Sequence, residues 1–352
     1  MVTLSDIAKA VGVSRSAVSK ALLGGGGKTT QVSEKTIERI RQSALRMGYR
    51  PNLLAQRLAS RRHDIIGLIV DSQCCVLYTK IMCAIEELVC RAGYRLQVGL
   101  VHDNLDSIKR YVDDLLGYNI QNVICLAHYY DFGESVPPLF RPFRNSLFIS
   151  KPMTDEKFSF VSPDYYATFR NAADYLLGLG RRRIVFVKTV YQTFDAQMRE
   201  QAFRDAYRLR GVPFEESFIY RGPVYELDKP ELMTRLLDDI LPLRPDALIL
   251  GSAEGTLLAL RHLKARGLTV PADISIIGMD EWPGCDAMMP SITVMNNNQQ
   301  QIAEAAVKAI LSNIDRKTPQ LHEIFVPGSL RIGESCAPVA VASRRRRLES
   351  RH

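Results

Sequence analysis

A chain of 352 residues, 46% hydrophobic and 24% charged, is long enough for more than one buried core and reads as soluble and globular. No apolar run reaches membrane-spanning length, and the opening MVTLSDIAKAVGVS lacks the apolar centre of an export signal, so a cytoplasmic location and no membrane partner are expected. The net charge of +8 is unevenly placed: residues 1–62 hold 12 Lys/Arg against 3 Asp/Glu, residues 344–352 hold five Arg against one Glu, and the long middle is therefore acidic. A small basic head on an acidic body points to a polyanion as the partner of the head. The seven irregularly spaced cysteines fit reduced thiols better than a disulfide framework.

Three short helices are predicted at the start of the chain. Ser5 is placed to cap DIAKAVG, which Gly12 ends; Ser14 to cap RSAVSKALL; and Ser33 to cap EKTIERIRQSALRM, whose Ile37, Ile40, Ala44 and Met47 share a face and which Gly48 stops. Helix, short turn and second helix make the helix-turn-helix plan, in which the start of the second helix faces base edges in the major groove. Arg15, Ser16 and Lys20 point outward from that helix, and Arg15 and Lys20, which can pair with guanine N7 and O6, are the best readers of sequence. Ser5, Ser14 and Ser19 suit phosphate contacts. The run GGGGKTT imitates a phosphate-binding loop, but the glycine that motif requires is Leu22, and a helix, not a buried strand, precedes it. It is read as a connection between helices. In GYRPNLLAQRLASRRHD, Pro51 separates off a short helix that Asn52 can cap, and Leu53, Leu54 and Leu58 are too many leucines for an exposed linker.

The body alternates short buried strands with helices. The strands read as IIGLIV (65–70), RLQVGLV (95–101), NVICLA (122–127), SLFIS (146–150), RIVFVK (183–188), SFIYR (217–221), ALILG (247–251) and ISIIGMD (274–280). This alternation predicts parallel sheets covered by helices, in two doubly wound sets with a ligand cleft at the carboxyl ends of the strands. No G-x-G-x-x-G follows the first strand, the six histidines lack metal spacing, and no nucleophile elbow is present. No cofactor, metal or enzymatic activity is therefore expected. The cysteine pair Cys74–Cys75 reads as small apolar filling.

The stretches VTLSDIAKAVGVSRSAVSKAL, VSEKTIERI and GYRPNLLAQRLAS, followed by IIGLIV, resemble the lactose-repressor (LacI/GalR-type) family of bacterial transcriptional regulators. The resemblance implies an all-α helix-turn-helix head (1–50), a hinge helix (51–62), an α/β periplasmic-binding-protein-like core (63–338) and a basic tail (339–352). The core's N-subdomain would join about 63–162 to 294–318 and its C-subdomain about 163–291 to 322–337, with crossovers near Ser162, Thr293 and residue 320. By position, Arg15, Ser16 and Lys20 match the base readers, and Leu58, with Asn52 beside it in the hinge, matches the leucine that wedges the minor groove. The connection from Gly24 to Gln31 is about four residues longer than the family pattern. The implied effector-binding residues are Tyr78, Asp164, Arg199, Ser252, Asp280 and Trp282. The pattern departs at Lys151, which replaces an arginine, and at Ser252–Ala253, where members carry Asn-Asp.

The function expected is sequence-specific binding of a near-palindromic double-stranded DNA operator by a homodimer, controlled by a small-molecule effector of carbohydrate type. The tail has no leucine heptads that would build a tetramer. A sugar-binding receptor with no DNA function is the alternative, and the basic head disfavours it.

Overall fold

The computed structural model describes residues 2–23, 32–49, 64–72, 76–102, 104–128, 130, 132–189, 193–222, 229–282 and 284–339. The chain divides into two compact units, Met1–Asp64 and Ile65–His352.

The first unit contains α1 (Leu4–Val11), α2 (Arg15–Leu23) and α3 (Glu34–Arg46). Thr3, not Ser5, caps α1. Its hydroxyl accepts from the Asp6 amide while the Asp6 carboxylate accepts from the Thr3 amide at 2.9 Å. This reciprocal arrangement needs an acidic or amide side chain three residues after the cap, which Thr3 has in Asp6 and Ser5 lacks in Ala8. Ser5 is exposed in the first turn. Gly12 ends α1 at φ 75°, a left-handed turn that a side chain would strain. Ser14 then starts α2, its Oγ accepting from the Ala17 amide at 3.2 Å, and Ser33 caps α3. Ile7, Ala8, Val18, Ala21, Ile40 and Ala44 form the core that these turns bring together. Arg39 donates to the Val11 carbonyl at 3.2 Å, tying α3 to the end of α1.

The second unit has two six-stranded sheets. The first sheet has the order β11-β5-β4-β3-β1-β2, with β1 (Ile65–Asp71), β2 (Arg95–Val101), β3 (Asn122–Leu126), β4 (Asn145–Ile149), β5 (Ser159–Pro163) and β11 (Glu323–Val326). The second has the order β12-β10-β9-β8-β6-β7, with β6 (Ile184–Thr189), β7 (Ile219–Gly222), β8 (Ala247–Ile249), β9 (Ser275–Met279), β10 (Thr293–Asn296) and β12 (Ser329–Arg331). Within both sheets the strands pair parallel, except for the antiparallel β10–β12 pair.

Alternate residues of β1 choose the faces of the first sheet. Ile66, Leu68 and Val70 pack on α4 (Val76–Arg91) and α10 (Gln299–Asn313), while Ile65 and Ile69 pack on α5 (Leu105–Gly117). In the second sheet Ile184 and Phe186 face α6 (Tyr165–Gly178) and α7 (Phe194–Leu209), while Val185 and Val187 face α8 (Pro230–Ile240) and α9 (Ala253–Ala265). Both sheets are thus buried on both faces, as parallel sheets require.

Strand pairing corrects two expected crossovers. Val294 pairs with Gly278 of the second sheet, so β10 remains there and the chain returns to the first sheet at 297–298, not near Thr293. Residues Glu323–Val326 pair with β5 in the first sheet, so the last crossover falls at 327–328, not near 320. The first crossing is at Pro163–Asp164. The three crossings are stitched together. The Asp164 amide donates to the Val326 carbonyl at 2.8 Å, and Asn298 Nδ2 donates to the Pro327 carbonyl at 2.5 Å. At Gly328 a Cβ would stand 2.2 Å from the Thr168 hydroxyl and 2.9 Å from the Asn296 carbonyl, so the third crossing needs glycine to pass.

Candidate functional sites

The head offers one continuous polar face. At about 100° per residue, Arg15, Ser19, Ser16 and Lys20 occupy one half of α2 and Ala17, Ala21, Val18 and Leu22 the other. Val18 and Ala21 are buried; Arg15 and Ser16 are exposed; Ser19 and Lys20 are half-buried. Burying the apolar half against Ile7 and Ile40 therefore fixes which side chains the outer half presents. Arginine and lysine on such a face can pair with guanine N7 and O6. Ser14, at the start of α2, spends its oxygen as the cap and keeps its hydroxyl proton for a partner.

The second polar collection lies at the carboxyl ends of the strands of the larger unit. Asp280 follows β9 in a left-handed conformation, φ 61°, and its amide donates to the Met295 carbonyl at 2.8 Å. Ser150 (φ 70°), after β4, and Asn298 (φ 52°), at the crossover, share that conformation, which costs non-glycine residues energy and gathers at functional sites. Asn297 Nδ2 donates to Asp280 Oδ1 at 2.7 Å. Burial pushes the Asp280 carboxyl up to about 6, against the Asn297 hydrogen bond and the charges of Arg199 and Lys80. The Arg199 guanidinium stacks 4.0 Å over the Tyr165 ring and 5.7 Å from that of Phe169, which fixes its position on α7.

Arg199 and Asp280 are thus brought within electrostatic reach of each other. The other expected residues have structural duties. Asp164 caps α6, accepting from the Ala167 amide at 2.9 Å, and Ser252 caps α9, accepting from Gly255 at 3.0 Å. Tyr78 is half-buried against the apolar face between α4 and the first sheet. Trp282 is 7% exposed and packs with Cys285, Ile292 and Val294.

Sequence reasoning missed Asn297 and Lys80, the partners of the Asp280–Glu281 loop. The run NNN at 296–298 carried a signal, since asparagine tolerates the left-handed backbone that Asn298 adopts, and Asn297 stands next to it. Lys80 had none. Lys188, near the end of β6, is buried but committed to Glu200 at 2.5 Å. Burial would raise the pKa of Glu200, yet hydrogen bonds from Lys188 and Arg204 and the charge of Arg221 hold it at about 2. Three cations thus share the Glu200 carboxylate, and the cluster reads as structural.

The hinge residues Asn52 and Leu58, the connection 24–31, Cys74–Cys75 and the tail arginines lie outside the described residues. Among the described residues no helix is long and apolar enough to cross a membrane, and no group of three His, Cys, Asp or Glu is placed to hold a metal ion.

Comparison with known proteins matches residues 3–52 to the bacterial regulatory proteins of the lacI family and residues 173–336 to the periplasmic binding protein-like domain. Catabolite control protein A of Priestia megaterium is 23% identical over 95% of this chain and 99% of its own length. The HTH-type transcriptional repressor PurR of Pasteurella multocida is 25% identical over 95% of this chain and 98% of its own. Among solved structures, a lac repressor dimer bound to operator and the anti-inducer ONPF superposes with a TM-score of 0.81 at 21% identity, covering 96% of this chain and 99% of that one. A complex of the regulator CelR with cellobiose gives 0.69 at 23% identity, covering 95% and 100%.

Proposed function

From its place in the lacI family of bacterial regulatory proteins, to which this chain belongs, we propose that it represses transcription as a homodimer, reading a near-palindromic operator through Arg15, Ser16 and Lys20. The observation that carries the reading is the outer half of α2, where two cations and two hydroxyls stand on a helix whose inner half is locked in a core. Ser5, Ser14 and Ser19 are proposed phosphate contacts; they set register, whereas the α2 cations set sequence. Two heads on a two-fold axis double the contacts and impose near-palindromy on the site. The dimer of the structural relative supports this state. So does the edge strand β2, which leaves Leu100 56% exposed. Asn52 and Leu58 enter on the sequence resemblance alone, as the minor-groove wedge.

The effector is proposed to sit between the two sheets, held by Arg199 and Asp280 with Asn297 beside them. The cellobiose complex of a relative supports a carbohydrate. Ser252 and Ala253 stand where the resemblance places Asn-Asp, so hydroxyl recognition here rests on Asp280. Closure of the sheets about the three crossovers would alter the geometry of the two heads, and DNA and effector would then shift each other's affinity by one factor. In this reading the protein is cytoplasmic and not an enzyme.

The test is selection of genomic fragments bound by the full chain, followed by a thermal-shift screen of sugars, sugar acids and nucleosides with the selected operator present and absent. The reading expects a shared near-palindrome and a ligand whose shift depends on Arg199. Fragments of no common sequence would refute the DNA assignment. A ligand indifferent to Arg199→Ala would remove that residue from the site.

A further inference from the structure

Two lysines of the first-sheet half reach across to the second-sheet half. Lys80, on α4, donates its ammonium to the main-chain carbonyl of Glu281 at 2.6 Å, 201 residues away. The acceptor is held firmly. Glu281 follows the left-handed Asp280, and its own carboxylate accepts from Asn296 at 2.8 Å and lies 3.5 Å from Arg331 Nε. The Lys80 charge also reaches the Asp280 carboxylate, so it has a neutral and an anionic partner on the same loop. Lys151, in the loop after β4, sits 4.6 Å over the ring of Phe194, the first residue of α7, and 5.8 Å from that of Phe160. Phe325 of β11 completes the second bridge, 5.4 Å from Phe160 and 6.4 Å from Phe194.

We propose that Lys80 and Lys151 form a two-point clasp that holds the two halves of the core together when no effector is bound. A hydrogen bond from an ammonium is stronger than a neutral one, and a cation over an aromatic face is attracted by the ring's quadrupole. The three stitched crossovers supply a short, stiff pivot, so the clasp residues are where the two halves can separate. The clasp sets the population from which an effector must work. A ligand that bridges the halves replaces its contacts, and a variant without it rests more open. The inference does not depend on DNA binding, and its test is read without DNA.

The experiment is hydrogen exchange of the full chain, free of DNA and ligand, in wild type, Lys80→Met, Lys151→Met and the double variant. Segments 278–282 and 193–199 should exchange about tenfold faster when their own lysine is lost, and both should do so in the double variant. The central strands β3 and β8 should keep their protection. Lys80→Arg, which preserves a donor, should restore most of the protection at 278–282. Unchanged exchange at both segments in the double variant would overturn the clasp. A second measurement covers a variant that loses stability throughout. Within each variant, exchange at the affected segments relative to that at β3 and β8 should still rise about tenfold, because a global loss of stability speeds all of them together. An unchanged ratio would overturn the clasp as well.

Discussion

The head and the cleft arrange their chemistry in opposite ways. On α2, Arg15, Ser16, Ser19 and Lys20 lie within six consecutive residues, and one small core holds them all. In the cleft, Arg199 comes from α7, Asp280 from the end of β9, Asn297 from a crossover and Lys80 from α4, and each is held by a different partner. A contiguous site should fail as a unit when its core fails. A dispersed site should respond piece by piece.

The largest effect should come from the head core. Ile40 is fully buried against Ile7 and Val18, and Ile40→Ala should cost about 2–5 kcal/mol, more than a domain of this size can spare. The expected outcome is a head that exchanges its amides freely and binds no DNA while the core melts as in wild type, read by hydrogen exchange and calorimetry. A core transition displaced by several degrees would break the contrast.

Asp280 tests the dispersed site. Its folded pKa of about 6 lies above the ordinary 3.8. The folded chain therefore holds this proton more tightly than the unfolded chain, and the stability it confers falls as pH rises from about 4 to about 6. Across that window the loss amounts to at most about 3 kcal/mol. Asp280→Asn should flatten this part of the stability–pH curve, followed by chemical denaturation at several pH values, and leave the head's protection unaltered. Superimposable slopes for variant and wild type would count against the buried carboxyl.

Smaller still is the contrast between two neighbouring hydroxyls. Thr3→Ala removes one half of the capping arrangement with Asp6 and should cost about 1 kcal/mol. Ser5→Ala, on an exposed turn, should change stability by less than about 0.5 kcal/mol. Equal losses in thermal unfolding of the head would return the cap to Ser5.

What the sequence revealed follows the same division. Caps and periodic apolar residues are local signals, so Ser14, Ser33 and the face of Ile37, Ile40 and Ala44 were legible, and only the choice between Thr3 and Ser5 went astray. Long Val/Ile runs announced the central strands. The strands β5 (SFVSP), β10 (TVMN) and β12 (SLR) were not read because polar residues and a proline interrupt their apolar residues, and β11, with only Val326 buried, has no apolar run to announce it. Both misplaced crossovers follow from those missing strands. In the cleft, the resemblance named Arg199, Asp280 and Trp282, but a position in a pattern does not say which way a ring turns, and that of Trp282 packs with Ile292 and Val294. Lys80 was invisible for a plainer reason: its partner is a backbone carbonyl 201 residues away.

The most direct test of the account is a binding titration of wild type, Arg15→Ala and Lys20→Ala on the selected operator and on random duplex, across a range of salt. Wild-type binding should weaken steeply with salt on both DNAs, as counterion release requires. Each substitution should cost about 1–3 kcal/mol on the operator, relax preference at one base position and cost much less on random duplex. Equal losses on both DNAs would contradict the central claim, for they would make α2 a phosphate-binding surface and not the reader of sequence.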